Sequence, residues 1–536
     1  MAGHWPVADT RIRSADYRPD GTPAPAGPPG FGGPPVQLPA HCEVVGTIRH
    51  RTGIDGQNYA IQFRLRLPEQ WNGRLFSEGG GGLNGNLGGA LGMIGFGKPP
   101  ALAAGYAVLS QDFGHDNAVN SDPARGGQAA FGFDPQARAD YGGASLEPVT
   151  LAAKALTARF YGSAPSYSYF VGCSKGGQEG MMLSQRYPDL YDGIVSGAPG
   201  FSLPRSAVAE VWDTQQFASV VRAKGEEVTL DSLARSFSDA DLGLVRDAVL
   251  AACDADDGVS DGIVGAFRQC TSAKVLPELR KRACAGDKLE GCLIPAQIEA
   301  LQKVHEGPRN SRGEALYASF PWDGGWAGRD WRGWKIGSPS GMPSINVMMG
   351  VPALATVFSV PPTVPADPVA YALGYDFDRD APMIYATGGP FVRSGWQDVG
   401  ARSSDLADFR QSGGRMIVTH GVSDPVFSIA DTLAWWDEVN SRAGGDAAKF
   451  VRVFPVPGMN HCAGGPATDQ FDAFSALVDW VERDRAPDRI IATANPGSPW
   501  PGRTRPLCPH PSIAGAKAGA AGNPESAASF ECVPSM

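Results

Sequence analysis

A serine between glycines stands at a predicted strand-to-helix turn, in the segment Gly172-Cys173-Ser174-Lys175-Gly176. A short apolar run at 169–171 precedes it, and a helical run at 178–186 follows it. In a nucleophile elbow the tight turn leaves no room for flanking side chains, and it pushes the serine hydroxyl out towards a helix N-terminus that favours negative charge. The pattern predicts Ser174 as a nucleophile; the alternative is a glycine-rich turn with an exposed serine.

A nucleophilic serine needs a base, and after such an elbow the chain supplies first an Asp or Glu and then a His. His461 lies in a loop directly after an apolar strand predicted at 450–454, where the base is expected. Two other histidines compete for the role. His305 lies in a charged helical stretch, which predicts a solvent-exposed side chain, and His420 is predicted to be a structural loop residue.

Asp424 is the predicted acid, because it follows an apolar strand predicted at 416–418. Its carboxylate would hold the imidazole of His461 in one tautomer and stabilise the imidazolium. Asp431 and Asp437 are competitors, but both are predicted on the next helix, on a face that water solvates.

Backbone amides are the predicted stabilisers of a developing oxyanion. One is the N–H of Lys175, the residue after the nucleophile. The second should come from the glycine run at 79–82, which follows a strand predicted at 74–76; Gly82 is favoured, and its neighbours stay open. A phosphate cradle is the alternative for this run, but no Gly-Lys-Ser/Thr follows it and the chain is acidic.

Nine cysteines indicate disulfides and hence an oxidising compartment. Cys173 precedes the proposed nucleophile and Cys462 follows the proposed base, so a meeting of the two side chains would bring these cysteines within the ~4.4–6.8 Å that a disulfide spans. Three further pairs are predicted, with free buried thiols as the alternative: Cys253/Cys270, Cys284/Cys292 and Cys508/Cys532. The chain has no C-x-x-C pair, so a zinc site is not predicted. The first five residues lack a signal-peptide pattern; together with the predicted disulfides, this predicts a secreted or periplasmic protein in its mature form, from which the signal peptide is absent.

The net charge of −10 argues against nucleic acid and anionic membranes as partners. No apolar run reaches the ~18 residues of a membrane-spanning helix. A strand hairpin at 42–67, short apolar strands and a helical segment at 149–161 indicate an α/β fold with a parallel sheet. Oligomeric state has no sequence signal.

The composition divides the chain into three parts. Residues 1–41 are predicted to be an extended arm, because 16–39 are rich in Pro and Gly. Residues 42–202 and 381–536 are predicted to form the catalytic α/β domain, with strands resuming at 382–386 and 415–421. Residues 203–380, with many turns and weak strand signals, are predicted to be an insertion that acts as a lid.

The Cys-Ser and His-Cys pairs with an Asp between them resemble the tannase and feruloyl esterase family, which includes mono(2-hydroxyethyl) terephthalate hydrolases. The similarity covers nearly the whole chain, including Trp71-Asn72-Gly73-Arg74, Asp112-Phe113-Gly114-His115 and the tail at 504–508. It implies an α/β-hydrolase core with a lid between the Ser and Asp segments, the roles given above for Ser174, Asp424 and His461, and a disulfide between Cys173 and Cys462. In the family, a cysteine at the position of Cys42 pairs with one nearer the N-terminus; none precedes residue 42 here, which predicts a free thiol.

The insertion contains a loop at 253–263 with four carboxylates and two glycines. Such a density of negative charge is typical of a Ca²⁺ site, although the spacing is not that of an EF-hand. The resemblance implies a structural calcium loop with Asp256 turned to solvent. Its ligands would be three carboxylates and two carbonyls: Asp254, Asp257, Asp261, Val259 and Ile263. The alternative is an acidic surface turn.

The predicted chemistry is two-step acyl transfer through a serine acyl-enzyme. The resemblance implies esters of small aromatic acids: gallate, hydroxycinnamates such as ferulate, or terephthalate monoesters. An arginine clamp would suit the free carboxylate of a terephthalate monoester, but residues 336–377 contain no Lys or Arg. Candidate aromatic walls are Trp322, Trp326, Trp331, Trp334 and Phe358. The alternatives are a peptidase or acyltransferase on the same fold, or a non-catalytic calcium-dependent binding protein.

Overall fold

The computed structural model describes residues 7–24, 37–95, 98–339, 341–517 and 523–535. Nine strands form one mixed sheet in the order β1-β4-β5-β7-β6-β8-β9-β10-β11, and the other strands form two-stranded pairs. The strands are β1 (Arg11–Arg18), β2 (Thr22–Pro23), β3 (Gln37–Leu38), β4 (His41–Thr52), β5 (Asn58–Pro68), β6 (Arg74–Glu78), β7 (Ala107–Gln111), β8 (Tyr167–Cys173), β9 (Gly193–Gly197), β10 (Arg415–Gly421), β11 (Val451–Val456), β12 (Ile490–Thr493), β13 (Thr504–Leu507), β14 (Ser512–Ala516) and β15 (Phe530–Pro534).

The centre of the sheet is parallel, from β7 through β6, β8, β9 and β10 to β11, and the hairpin β4–β5 joins it by antiparallel pairing with β7. Every residue of β7 and β9 is buried, as expected for strands covered on both faces. The predicted α/β class and the predicted hairpin are confirmed.

The described residues form fourteen α-helices, and some of them pack on the main sheet. They are α1 (Pro135–Ala139), α2 (Leu146–Tyr161), α3 (Lys175–Arg186), α4 (Leu203–Ala223), α5 (Leu230–Ala234), α6 (Asp239–Cys253), α7 (Ser272–Arg280), α8 (Pro295–Glu306), α9 (Arg329–Lys335), α10 (Pro368–Gly374), α11 (Gly395–Val399), α12 (Ala407–Gln411), α13 (Ile429–Arg442) and α14 (Ala473–Arg483). Adjacent strand residues point to opposite faces. Phe170 and Ile194 accordingly pack in one core with α3 and α13, while Tyr169 and Val195 pack in another with α14.

The segment between β9 and β10 contains α4 to α12 and, among its described residues, no strand of the main sheet. The strand predicted at 382–386 is wrong. Ala381–Tyr385 form a 3₁₀-helix that has Pro382 in its first turn, where a missing N–H costs nothing. The main sheet resumes only at β10.

The described part of the N-terminal arm also differs from its prediction, because β1 lies within 1–41 and pairs antiparallel with β4 along the edge of the main sheet. Residues 1–6 and 25–36 of the predicted arm lie outside the described residues. Most of its side chains are exposed. Backbone pairing rather than apolar burial therefore holds β1, and a strand of this kind leaves no hydrophobic pattern in the sequence. In the described parts of the chain, no helix is both long and apolar enough to cross a membrane.

Candidate active site

Ser174 lies at a sharp turn between β8 and α3, with φ +65° and ψ −121°. Two close backbone approaches explain the neighbouring glycines. A Cβ on Gly172 would lie 2.5 Å from the carbonyl oxygen of Gly176, and a Cβ on Gly176 would lie 2.8 Å from that of Gly80. The turn therefore holds an L-residue in a left-handed conformation that presents its hydroxyl at the C-terminal end of β8.

The three residues predicted as nucleophile, base and acid lie in one hydrogen-bonded line. Nε2 of His461 is 2.9 Å from Oγ of Ser174, and its Nδ1 is 2.8 Å from Oδ2 of Asp424. The other carboxylate oxygen of Asp424 accepts the N–H groups of Val426 and Phe427. The arrangement fixes the imidazole so that Nε2 can accept the serine proton.

Charge in this line favours an ionised acid and a basic imidazole. Burial acts to raise the pKa of Asp424, but the imidazoles of His461 and His420 outweigh it and the pKa is lowered. Burial acts to lower the pKa of His461, while the carboxylates of Asp424 and Asp330 raise it above its usual value.

The competing residues have structural partners. His305 is half-buried and stacks on Trp322 with ring centroids 4.6 Å apart, so its predicted exposure is wrong. His420 is buried at the end of β10 rather than in a loop, where it bonds Thr432 and the carbonyl of Phe427.

Both competing carboxylates lie on α13, as predicted, but only one is solvated. Asp431 is buried and bonds Ser202 and Arg402, so the predicted solvated face is wrong for it. These partners satisfy the hydrogen-bonding capacity of the buried carboxylate. Asp437 is exposed and bonds His510.

The glycine run lies beside the elbow. The N–H of Gly79 donates to Val171, and that of Gly80 donates to Glu179, so neither is free for an oxyanion. Gly82 lines the same pocket as Ser174 and Lys175, and its N–H has no partner among the described residues. The N–H of Gly81 likewise has no partner among the described residues, so the use of Gly82 together with Lys175 stays a prediction.

Sequence reasoning missed the side chain of Lys175. It is fully buried, and its ammonium lies 3.0 Å from Oε1 of Glu179 and over the ring of Tyr141. Glu179 also accepts the N–H of Gly80 and the amide of Asn84. A buried ion pair thus braces the glycine run against α3, and the i, i+4 spacing of Lys and Glu was the signal that could have revealed it.

The motif at 112–115 lies behind the same run. A Cβ on Gly80 would lie 2.7 Å from the ring of Phe113, which itself has φ +66°. The backbone of Asp112 accepts the N–H of Gly85. This motif therefore shapes the loop that carries Gly82.

The inserted segment contacts both catalytic loops. Asp323 accepts hydrogen bonds from the hydroxyl of Ser423, at 2.5 Å, and from the N–H of Gly458. Asp330 on α9 accepts the N–H of His461 at 3.1 Å, and the ring of Trp334 meets the imidazole edge-on at 5.3 Å. The insertion thus helps to position Asp424 and His461, the predicted acid and base.

A pocket opens at Ser174. Of the five predicted aromatic walls, Trp334 and Phe358 line it. The other three are buried in the core of the insertion, each ring packed on the next: Trp322, Trp326 and Trp331. Glu210 brings a carboxyl group to the pocket that the sequence did not reveal.

The structure contains four disulfides. Cys173 and Cys462 are joined beside the Ser174–His461 contact, with their Cα atoms 6.1 Å apart. The other three are Cys253–Cys270, Cys284–Cys292 and Cys508–Cys532. Cys42 is half-buried and free; burial and the nearby carboxylates of Asp16 and Glu43 raise the pKa of its thiol.

The acidic loop is satisfied largely by its own backbone. Asp254 accepts the N–H groups of residues 261 and 262, and Asp257 accepts those of Val259 and Gly265. Asp261 pairs with Arg505, and Ile263 donates its N–H to Asp261.

The donor types suit Ca²⁺, but within the described ranges no group of three or more His, Cys, Asp or Glu side chains is arranged to hold a metal ion. Asp256 pairs with Lys274 instead of facing open solvent.

Known proteins share this fold and sequence. The family model described as "Tannase and feruloyl esterase" matches residues 42–533, and the chain belongs to that family of carboxylic ester hydrolases. A mono(2-hydroxyethyl) terephthalate hydrolase of Piscinibacter sakaiensis is 46% identical over 98% of this chain and 89% of its own. A probable feruloyl esterase of Arthroderma benhamiae is 28% identical over 92% of this chain and 85% of its own.

Solved structures confirm the α/β-hydrolase fold. Feruloyl esterase B from Aspergillus oryzae superposes with a TM-score of 0.77 at 22% identity and covers 98% of this chain and 97% of its own. Tannin acyl hydrolase from Aspergillus niger gives 0.70 at 20% identity, over 99% and 93%. At these identities the likeness concerns the fold.

Proposed function

We propose that this chain is a serine carboxylic ester hydrolase that acts on esters of small aromatic acids. The observation that carries the proposal is the hydrogen-bonded line from Ser174 through His461 to Asp424 at the mouth of a pocket with aromatic walls. A binding protein would have no need of this line, and membership of a family of ester hydrolases supports the same conclusion.

The proposed reaction has two steps. His461 takes the proton from Ser174 as the hydroxyl attacks the ester carbonyl, and the N–H groups of Lys175 and Gly82 hold the oxyanion. His461 then gives the proton to the leaving alcohol, so that an acyl-enzyme remains. Water, activated by the same imidazole, attacks the acyl-enzyme and releases the acid.

Hydroxycinnamate or galloyl esters are the first candidates for the substrate. No arginine is among the described residues that line the pocket. The one lysine among them is Lys175, whose ammonium group pairs with Glu179. A terephthalate monoester is the second candidate, because 46% identity to the terephthalate monoester hydrolase favours it. Rates on methyl gallate, methyl ferulate and mono(2-hydroxyethyl) terephthalate separate the two.

The serine mechanism is tested by labelling and turnover. We expect a fluorophosphonate probe to label the wild type and Ser219→Ala, an exposed serine on α4, but not Ser174→Ala. The rate of Ser174→Ala should fall by about 10⁴- to 10⁶-fold. A Ser174→Ala protein that keeps its label and its turnover would refute the proposal. A rate on amide substrates or alcohol acceptors above that on esters would instead favour a peptidase or acyltransferase.

We propose that the insertion acts as a substrate-binding lid, and eight of its described residues line the pocket, among them Glu210, Trp334 and Phe358. We also propose secretion or a periplasmic location, which the four disulfides support.

We propose further that the acidic loop binds a structural Ca²⁺ through Asp254, Asp257 and Asp261 with the carbonyls of Val259 and Ile263. Burial, together with the charges of Asp261 and Asp254, raises the pKa of Asp257 to about 7, so a cation would relieve repulsion there.

Titration calorimetry with CaCl₂ and thermal melting in EDTA test the calcium proposal. Asp257→Asn should abolish the binding heat and the Ca²⁺-dependent rise in melting temperature. The matched control is Asp256→Asn, whose carboxylate pairs with Lys274, and it should keep both. No binding heat in the wild type would show the loop to be an acidic turn that its own amides and Arg505 stabilise.

A further inference from the structure

The carboxyl group of Glu210 lies unpaired in the pocket beside Ser174. Glu210 is on α4 and is 6% exposed, and its Oε2 has no hydrogen-bond partner among the described residues. Gly350 makes room for it, since a Cβ at that position would lie 1.6 Å from Oε2. A buried carboxyl oxygen without a hydrogen-bond partner costs free energy, unless a bound ligand supplies the partner.

The surrounding charges are already matched to one another. Lys335 forms a buried ion pair with Asp213, one turn after Glu210 on α4. Burial raises the pKa of Glu210 to about 8 and that of Asp213 to about 6, with Lys335 opposing both shifts. Glu210 is therefore mostly protonated at neutral pH, and its carboxyl group can donate as well as accept a hydrogen bond.

Two tyrosines complete the ionisable groups around Glu210. The negative charge of Glu210 adds to burial in raising the pKa values of Tyr141 and Tyr317. Both phenol groups therefore stay protonated and uncharged. Lys175 is committed to Glu179, as Lys335 is to Asp213.

We infer that Glu210 forms a ring-recognition subsite, in which its carboxyl group hydrogen-bonds an uncharged hydroxyl on the aromatic ring of the acyl group attached at Ser174. The inference rests on the proposed function of Ser174 and narrows its substrate class to phenolic acids. A ring carboxylate would meet Glu210 without a free cation to balance it, so charged rings are disfavoured. Most of the other residues that line the pocket are apolar, among them Phe358 and Met349.

Matched methyl esters test the subsite. The series is methyl 4-hydroxycinnamate against methyl cinnamate, and methyl 4-hydroxybenzoate against methyl benzoate and monomethyl terephthalate. In the wild type we expect kcat/KM to favour each hydroxylated ester about tenfold over its unsubstituted partner, the size of one good hydrogen bond. Monomethyl terephthalate should be the poorest of the benzoate esters.

Variants assign the preference to the carboxyl group. Glu210→Met should bring the hydroxyl ratio to about one, and Glu210→Gln, which still hydrogen-bonds, should restore part of it. Ser219→Ala on the same helix should leave the ratio unchanged. Thermal melting checks that each variant is folded; if Glu210→Met does not fold, the wild-type order of the esters still tests the subsite.

The outcomes separate the two proposals. Turnover of none of the esters would overturn the proposed function. Turnover with equal hydroxyl ratios in the wild type and both Glu210 variants, or a wild-type preference for monomethyl terephthalate over methyl benzoate, would overturn the subsite alone. Loss of the ratio in Glu210→Met with partial rescue in Glu210→Gln would support it.

Discussion

Asp323 of the insertion accepts a hydrogen bond from Ser423, which immediately precedes the acid Asp424 in the chain. Because Asp323 also accepts the N–H of Gly458, three positions before His461, one buried carboxyl group ties together the loops that carry acid and base. The hydrogen bonds of Asp323 thus join the insertion to the two loops that carry Asp424 and His461.

Asp323→Asn should weaken this connection. An asparagine has only one side-chain oxygen, so its NH₂ group would face a hydrogen-bond donor that an oxygen of Asp323 now accepts. We therefore expect a loss of about 1–3 kcal/mol in the free energy of unfolding and a lower kcat. Urea denaturation and ester turnover measure the two effects. Asp247→Asn, an exposed aspartate of the same segment, is the control. Equal unfolding free energies and equal kcat values for the two variants would show that the Asp323 contacts contribute neither to stability nor to turnover.

Asp330→Asn should shift the pH profile. His461 must be neutral to accept the serine proton, so kcat/KM falls as the pH drops through the pKa of His461. Asp330 raises that pKa, and the asparagine can still accept the N–H of His461 through its side-chain oxygen. We therefore expect the acid limb of the profile to move to lower pH, while Asp437→Asn leaves it in place. An unmoved limb would contradict the electrostatic role of Asp330.

Glu179→Gln should leave the ammonium of Lys175 buried and unpaired. Burial already lowers the pKa of Lys175, and Glu179 opposes that shift. Breaking a buried ion pair typically costs about 3–5 kcal/mol. Lys175→Met combined with Glu179→Gln should recover part of the loss, and a double-mutant cycle by urea denaturation measures it. Strictly additive losses would show that the two groups act independently.

Removal of the disulfide beside the triad should impair catalysis more than folding elsewhere. The Cys173→Ala/Cys462→Ala protein frees the backbone next to Ser174 and His461, and a misplacement of about 1 Å can cost about 10²-fold in rate. The Cys284→Ala/Cys292→Ala protein loses a bridge that closes a short loop and does not line the pocket, so it should keep its kcat. Equal kcat in both proteins and the wild type would show the Cys173–Cys462 bond to be dispensable for activity.

The sequence predicted the elements that local rules determine. The elbow around Ser174 follows from close glycine packing, and the sheet follows from short apolar runs. Asp424 and His461 could be placed because each stands just after a parallel strand, and such strand ends meet at one edge of a sheet. The cysteines beside Ser174 and His461 then gave an independent distance restraint.

Contacts between distant segments were not predictable in the same way. Neither the bond from Asp323 to Ser423 nor the place of Glu210 beside Gly350 leaves a local pattern, since each joins residues about a hundred or more positions apart. The tryptophans show the same limit: spacing could not tell Trp334, which meets His461, from Trp326, which packs in the core. Edge strand β1 was missed because backbone pairing holds it.

The bond between Cys173 and Cys462 also gives the chain an unusual connectivity. The two cysteines are 289 positions apart, so the bond closes a ring that contains every helix from α3 to α13. In the chain-entropy model a ring of this size restricts the unfolded chain by about 5–6 kcal/mol. A protease that cuts the ring once opens it without releasing a fragment, and Ser174 stays covalently attached to His461. A single cut in any loop of the insertion would therefore leave the two parts of the chain covalently joined.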